Sequence, residues 1–188
     1  HGPRESWFRL VRRAISGSSE GEDFARGDLR TAIILLSVPM VLEMAMESVF
    51  AVADVFFVSQ VGGTAVATVG LTESLLVLVY ALAFGLSMST TALVARRIGE
   101  KDHEGASRAA VQALWVGGGI AAAIGIPGFI FAPELLELMG AEAEVLAEGT
   151  TFARVALGTN IVVIFLFLQN AILRGAGDAA TSMRALWL

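Results

Sequence analysis

Three acidic residues, Glu43, Glu47 and Asp54, interrupt an otherwise apolar stretch from Thr31 to Val58. At about 100° per residue, Glu43 and Glu47 lie about 40° apart on a helix, and Glu47 and Asp54 differ by about 20°. The three share one narrow face. An acid at the centre of a lipid-facing helix costs roughly 2.5–3.5 kcal/mol, against a gain of roughly 0.3–0.6 for each Leu, Ile, Phe or Val. Three such acids would nearly cancel the apolar gain of the whole segment. The face must therefore turn toward protein or a water-filled cavity, or carry protons. Carboxylates crowded in such a cavity bind and release protons or small cations, which is the chemistry of ion-coupled movement.

A second polar stripe follows. Glu73, Tyr80 and Ser87 recur every seven residues and fall on one face of a helix. Set against the acidic face, they predict a polar cleft entered from outside. Asn170, farther along, is another candidate for its lining, together with Glu43. Glu47 and Asp54 are the candidates for cation coupling, although spacing alone does not separate Asp54 from the two glutamates. Asn160 is expected to pack by hydrogen bonding across helices.

The elements that must hold these residues are membrane spans. Ser74–Ala95, Ala109–Ala132 and Val155–Leu173 contain no Lys, Arg, Asp or Glu. Each approaches the ~20 residues that cross a hydrocarbon core as a helix. Helices are expected at about 31–58, 66–95, 107–132 and 146–173, with a fifth beginning near Ser182. Basic residues test this layout independently. Arg4, Arg9, Arg12, Arg13, Arg26 and Arg30 precede the first span; Arg96, Arg97, Lys101 and Arg108 separate the second from the third; Arg174 and Arg184 follow the fourth. The connections 59–65 and 133–148 carry none, and only Arg154, at the outer end of the fourth span, sits outside the pattern. The positive-inside rule places the N-terminus and the basic loops in the cytoplasm.

The chain has 188 residues, 55% hydrophobic and 16% charged, with net charge −5. That balance points to lipid and excludes disordered and basic nucleic-acid-binding classes. Zero cysteines rule out disulfides and thiolate metal sites, and two histidines form no metal cluster. Nucleophile elbow, P-loop and HExxH motifs are absent, so no enzyme and no cofactor is expected. Residues 1–27 read as a basic tail and linker, in which Arg9, Arg12 and Arg13 alternate with Leu10, Val11 and Ile15. An amphipathic helix on an anionic membrane surface and an unordered tail are equally compatible with it. The chain begins without Met and stops within an apolar run, which predicts a piece of a longer protein.

Several stretches together resemble the multidrug and toxic compound extrusion (MATE) family, its DinF-like bacterial branch in particular. They are Leu36-Ser37-Val38-Pro39-Met40 with Val52-Ala53-Asp54-Val55-Phe56-Phe57-Val58, then Ala65 through Ser74. Ala95-Arg96-Arg97-Ile98-Gly99-Glu100-Lys101-Asp102 and Leu173-Arg174-Gly175-Ala176-Gly177-Asp178 complete the set. Their order and spacing cover residues 28–188.

The resemblance implies an all-α membrane protein of twelve helices in two six-helix lobes. Residues 28–188 would supply the first four helices of the N-terminal lobe and the start of the fifth. It also implies that Asp54 matches the family's first-helix aspartate, a proton or sodium site. Glu47 stands where many relatives carry a polar residue. The expected protein is an H+- or Na+-coupled antiporter that exports organic, cationic compounds across the bacterial inner membrane. Its partners would be a small organic cation, membrane lipid and the remaining half of the same protein, with no nucleic acid. A lipid-linked precursor flippase of the same superfamily and a non-transporting membrane scaffold are the alternatives. The acids in the visible spans weigh against the flippase, whose cavity would need cationic groups.

Overall fold

A computed structural model describes residues 7–16 and 29–181. The linker expected at 17–27 and the fifth helix expected from about 182 lie outside the described residues. All regular elements among the described residues are helices: α1 (Trp7–Ser16), α2 (Leu29–Val61), α3 (Gly63–Gly99), α4 (His103–Ile130), α5 (Ala132–Leu138), α6 (Ala143–Gly158) and α7 (Asn160–Gly175). Four stretches are long and apolar enough to cross a membrane: α2, α3, α4, and α6 with α7 taken together. The chain is a multi-pass membrane protein, and the all-α expectation holds.

The helix ends show why the chain turns where it does. A single residue, Gly62, separates α2 from α3, and its φ of 141° is open to glycine but costly for other residues. After α7, the Asp178 N–H bonds to the Leu173 carbonyl and the Gly177 N–H to that of Arg174, with Gly177 left-handed at φ 88°. This pairing satisfies carbonyls that the helix end would otherwise leave open. The same arrangement ends α3, where the left-handed position is taken by Lys101. There Asp102 joins the two helices. Its Oδ2 pairs with the Arg97 guanidinium at 3.3 Å and its Oδ1 accepts the Gly105 N–H at 2.8 Å, capping α4.

Two features differ from the sequence reading. The connection after α4 contains the short helix α5, started by Pro133 in its first turn and anchored by the fully buried Leu136. The fourth span is also not one continuous helix. It breaks at Thr159, whose hydroxyl donates to the Val155 carbonyl while Asn160 Nδ2 donates to that of Leu157. Side-chain donors that take helix carbonyls compete with the regular backbone ladder and loosen it at that point.

The described chain divides into two compact units. The first comprises the residues up to Phe50, Thr90–Ala110 and the residues from Asn170; the second comprises Ala51–Ser89 and Val111–Gln169. The second holds an apolar core built on Leu76 and Val79 of α3, Leu136 of α5, Leu157 of α6, and Ile164 and Leu168 of α7. The small-residue run of α4 admits this core at close range. Gly117 and Ala121, one turn apart, are buried, and a Cβ on Gly117 would meet Leu168 at 2.5 Å. Gly119, Ala122 and Ala123 face outward.

Candidate functional site

α2 buries a single stripe, Ala32, Leu35, Pro39 and Glu43, at helical spacing. Nothing beyond Glu43 on α2 is buried, although the helix runs on to Val61. The acidic face predicted from spacing therefore lies along one edge of this stripe. Its first member falls inside, while Glu47 and Asp54 are exposed.

Glu43 is only 5% exposed and is fully engaged with α7. Asn170 Nδ2 donates to its Oε1 at 3.1 Å, and Arg174 Nη1 stands 4.0 Å from its Oε2. Asn170 and Arg174 are four residues apart and so share one face of α7. Arg174 belongs to the last turn of α7, where a cation also complements the helix dipole. The sequence reading counted it only as a loop charge. Its side chain is three-quarters covered and faces an acid 131 positions earlier in the sequence. The signal that would have found it is the pair of polar residues at i and i+4 near the end of the fourth span, opposite an intramembrane acid that needs a counter-ion.

Glu47 and Asp54 make no hydrogen bond or ion pair among the described residues. Their neighbours on α2 are large and apolar; Val52, Val55, Phe56 and Phe57 are all exposed. Among the described residues, then, one acid is neutralised by protein and two are open.

The α3 stripe is used in two ways. Glu73 is exposed, and the Tyr80 ring two turns on lies 6.4 Å from that of Phe167 in α7. Ser87, expected on the cleft wall, is instead buried, and its hydroxyl donates to the Phe167 carbonyl at 2.7 Å. Small residues with hydroxyl groups serve such close helix contacts well in lipid, where each hydrogen bond contributes about 0.6 kcal/mol on average. Ser87→Ala is accordingly expected to lower stability by no more than about 1 kcal/mol and to leave substrate affinity unchanged. Thermal unfolding and a ligand-binding titration on the same variant check both halves of that expectation.

Asn160 packs against α4, but not through the expected hydrogen bond across helices, since its Nδ2 donates to Leu157 three residues earlier. It is wholly buried against Gly125, and its Oδ1 has no partner among the described residues. An open groove of about 550 Å³ lies elsewhere in the second unit, lined by Gly63, Thr64, Ser74, Gly140 and Glu144 among others. Thr64 donates to Glu144 there at 3.2 Å. None of the acids of α2 lines it. No cluster of His, Cys, Asp and Glu among the described residues could hold a metal ion. A sodium ion at Asp54 would need ligands from elsewhere.

The arrangement matches that of known transporters. Over 166 residues the chain is 23% identical to the probable multidrug resistance protein YpnP of Bacillus subtilis (strain 168), which takes in 86% of this chain and 37% of that protein. A MOP superfamily transporter from Pyrococcus furiosus is described as having a binding pocket of reverse polarity that suggests a different function. It superposes with a TM-score of 0.81 at 36% identity, covering 89% of this chain and 37% of that one. The outward-facing structure of a multidrug resistance MATE family transporter gives the same four values. The chain thus spans little more than a third of the length of each. Residues 39–188 match the MatE family model, and with four apolar spans in the same arrangement as these transporters the chain belongs to that family.

Proposed function

We propose that the chain is part of a cation-coupled antiporter that exports organic, cationic compounds across a bacterial plasma membrane, with its N-terminus in the cytoplasm. Asp54 takes up the coupling cation, H+ or Na+, and Glu47 holds the cationic group of the substrate or a second proton nearby. Export then follows from two states of one helix bundle that differ in affinity for the cation.

The observation that carries this reading is the contrast along α2. Glu43 already has Asn170 and Arg174 as partners, so its charge is balanced by protein. Glu47 and Asp54 have no such partner among the described residues. Two acids kept in an apolar span without a fixed counter-charge are suited to mobile cations. Membership of the MatE family supports the same reading.

Asp54→Asn in the full-length protein, reconstituted in vesicles with an imposed proton or sodium gradient, tests it. Gradient-driven efflux is expected to vanish while the protein remains folded. Unimpaired efflux removes Asp54 from the mechanism, and loss under only one of the two gradients names the ion.

A further inference from the structure

α1 grades from buried to charged as one moves round it. At about 100° per residue, Leu10 and Ala14 lie about 40° apart, followed in turn by Val11, Ile15, Arg12 and Arg9. Leu10 and Ala14 are buried at 7% and 0%, and Val11 is half-buried. Ile15 is 44% exposed, and Arg12 and Arg9 are exposed. One edge of the helix is therefore already covered by the protein. The next edge is apolar and open, and the one beyond it is basic.

A helix wholly in water gains nothing from an open isoleucine beside two arginines. A helix lying at a bilayer surface does gain from it, because the apolar edge enters the acyl boundary while the arginines meet headgroups. The membrane is within reach. Only 12 residues separate Ser16 from Leu29, where the first span begins, a distance of at most about 47 Å even when fully extended. Arg30, exposed on the first turn of α2, adds positive charge at the same end. Basic groups in this position attract anionic lipid.

We propose that α1 is an interfacial helix that docks, through Ile15, Arg12 and Arg9, on anionic lipid headgroups at the N-terminal end of the first span. Its occupant is the lipid surface, recognised by negative charge and an adjoining apolar layer. The proposal does not depend on which ion or substrate is moved.

These 188 residues contain no cysteine, so Ile15→Cys in the full-length protein, with any cysteine beyond residue 188 replaced by serine, gives one labelling position for an environment-sensitive fluorophore. The labelled protein is placed in nanodiscs of phosphatidylcholine alone or mixed with phosphatidylglycerol; both leaflets are alike, which makes the result independent of orientation. Emission is expected to shift to the blue with phosphatidylglycerol and to be quenched by lipids spin-labelled near the headgroup. Arg12→Glu and Arg9→Glu are each expected to lower the docked-to-undocked ratio at least about fivefold, the worth of one basic residue near an anionic surface. Water-like emission in both membranes overturns the proposal. So does a blue emission that phosphatidylglycerol and charge reversal leave unchanged, because the residue then lies against protein.

Discussion

Glu43→Ala is expected to destabilise the folded chain by about 3 kcal/mol, and adding Arg174→Ala is expected to recover most of that loss. Removing one partner of a buried ion pair typically costs about 3–5 kcal/mol, because the other charge stays behind without compensation. Arg174 retains some access, so the lower end applies. Removing both charges leaves an apolar contact, which in lipid carries little penalty. Glu43→Gln should fall between the two, since an amide oxygen still accepts from Asn170 but offers no charge to the guanidinium. Unfolding midpoints of the three variants in detergent decide the matter. A double variant as unstable as Glu43→Ala alone would mean that the two residues do not act on each other.

The second large effect is steric. Gly175 closes α7 and is buried against α3. A Cβ there would stand 2.9 Å from the Thr91 carbonyl oxygen and 2.9 Å from Val94 Cβ. Both atoms are fixed to the α3 backbone, so no rotamer change relieves the contact. Gly175→Val is expected to cost about 1–3 kcal/mol, the usual range for overpacking, as α7 is pushed off α3 and the Thr91 hydroxyl loses the Ala171 carbonyl it reaches at 3.1 Å. Gly119→Ala is the control. Nothing lies within 4 Å of its added methyl, and a small gain in stability from the better helix former is expected. A loss in Gly119→Ala comparable with that in Gly175→Val would show that the α3–α7 contact does not set the effect.

What the sequence made legible follows from the range of each interaction. The spans announce themselves through length and apolarity, which are local properties, and the alternation of basic loops orders them. The acidic face of α2 was equally visible, since Glu43, Glu47 and Asp54 need only the helical repeat to be placed together. Their separate fates were not. Whether an acid falls on the buried side of α2 depends on α7, and the hydrogen bond from Asn170 to Glu43 spans 127 positions. The same limit hid the task of Ser87, whose acceptor Phe167 lies 80 positions later. α5 escaped notice because seven residues are too few for a periodic pattern, although a proline followed by Leu135 and Leu136 marks its start. The break at Thr159 had a local cue, Thr next to Asn inside an apolar run, but those residues occur often enough in unbroken spans to go unread.

The pairing of Glu43 has a consequence for the order of events during synthesis. The turn between α3 and α4 is stapled by Arg97, Asp102 and Gly105, all within nine residues, so that hairpin can close as soon as it emerges. Glu43 must wait for Asn170 and then Arg174. At ribosomal speeds of roughly 5–20 residues per second, a delay of 127 positions lasts roughly 6–25 s. Throughout that interval Glu43 lacks the two partners that α7 supplies, and a proton, the water-filled translocation channel or a chaperone can stand in for them.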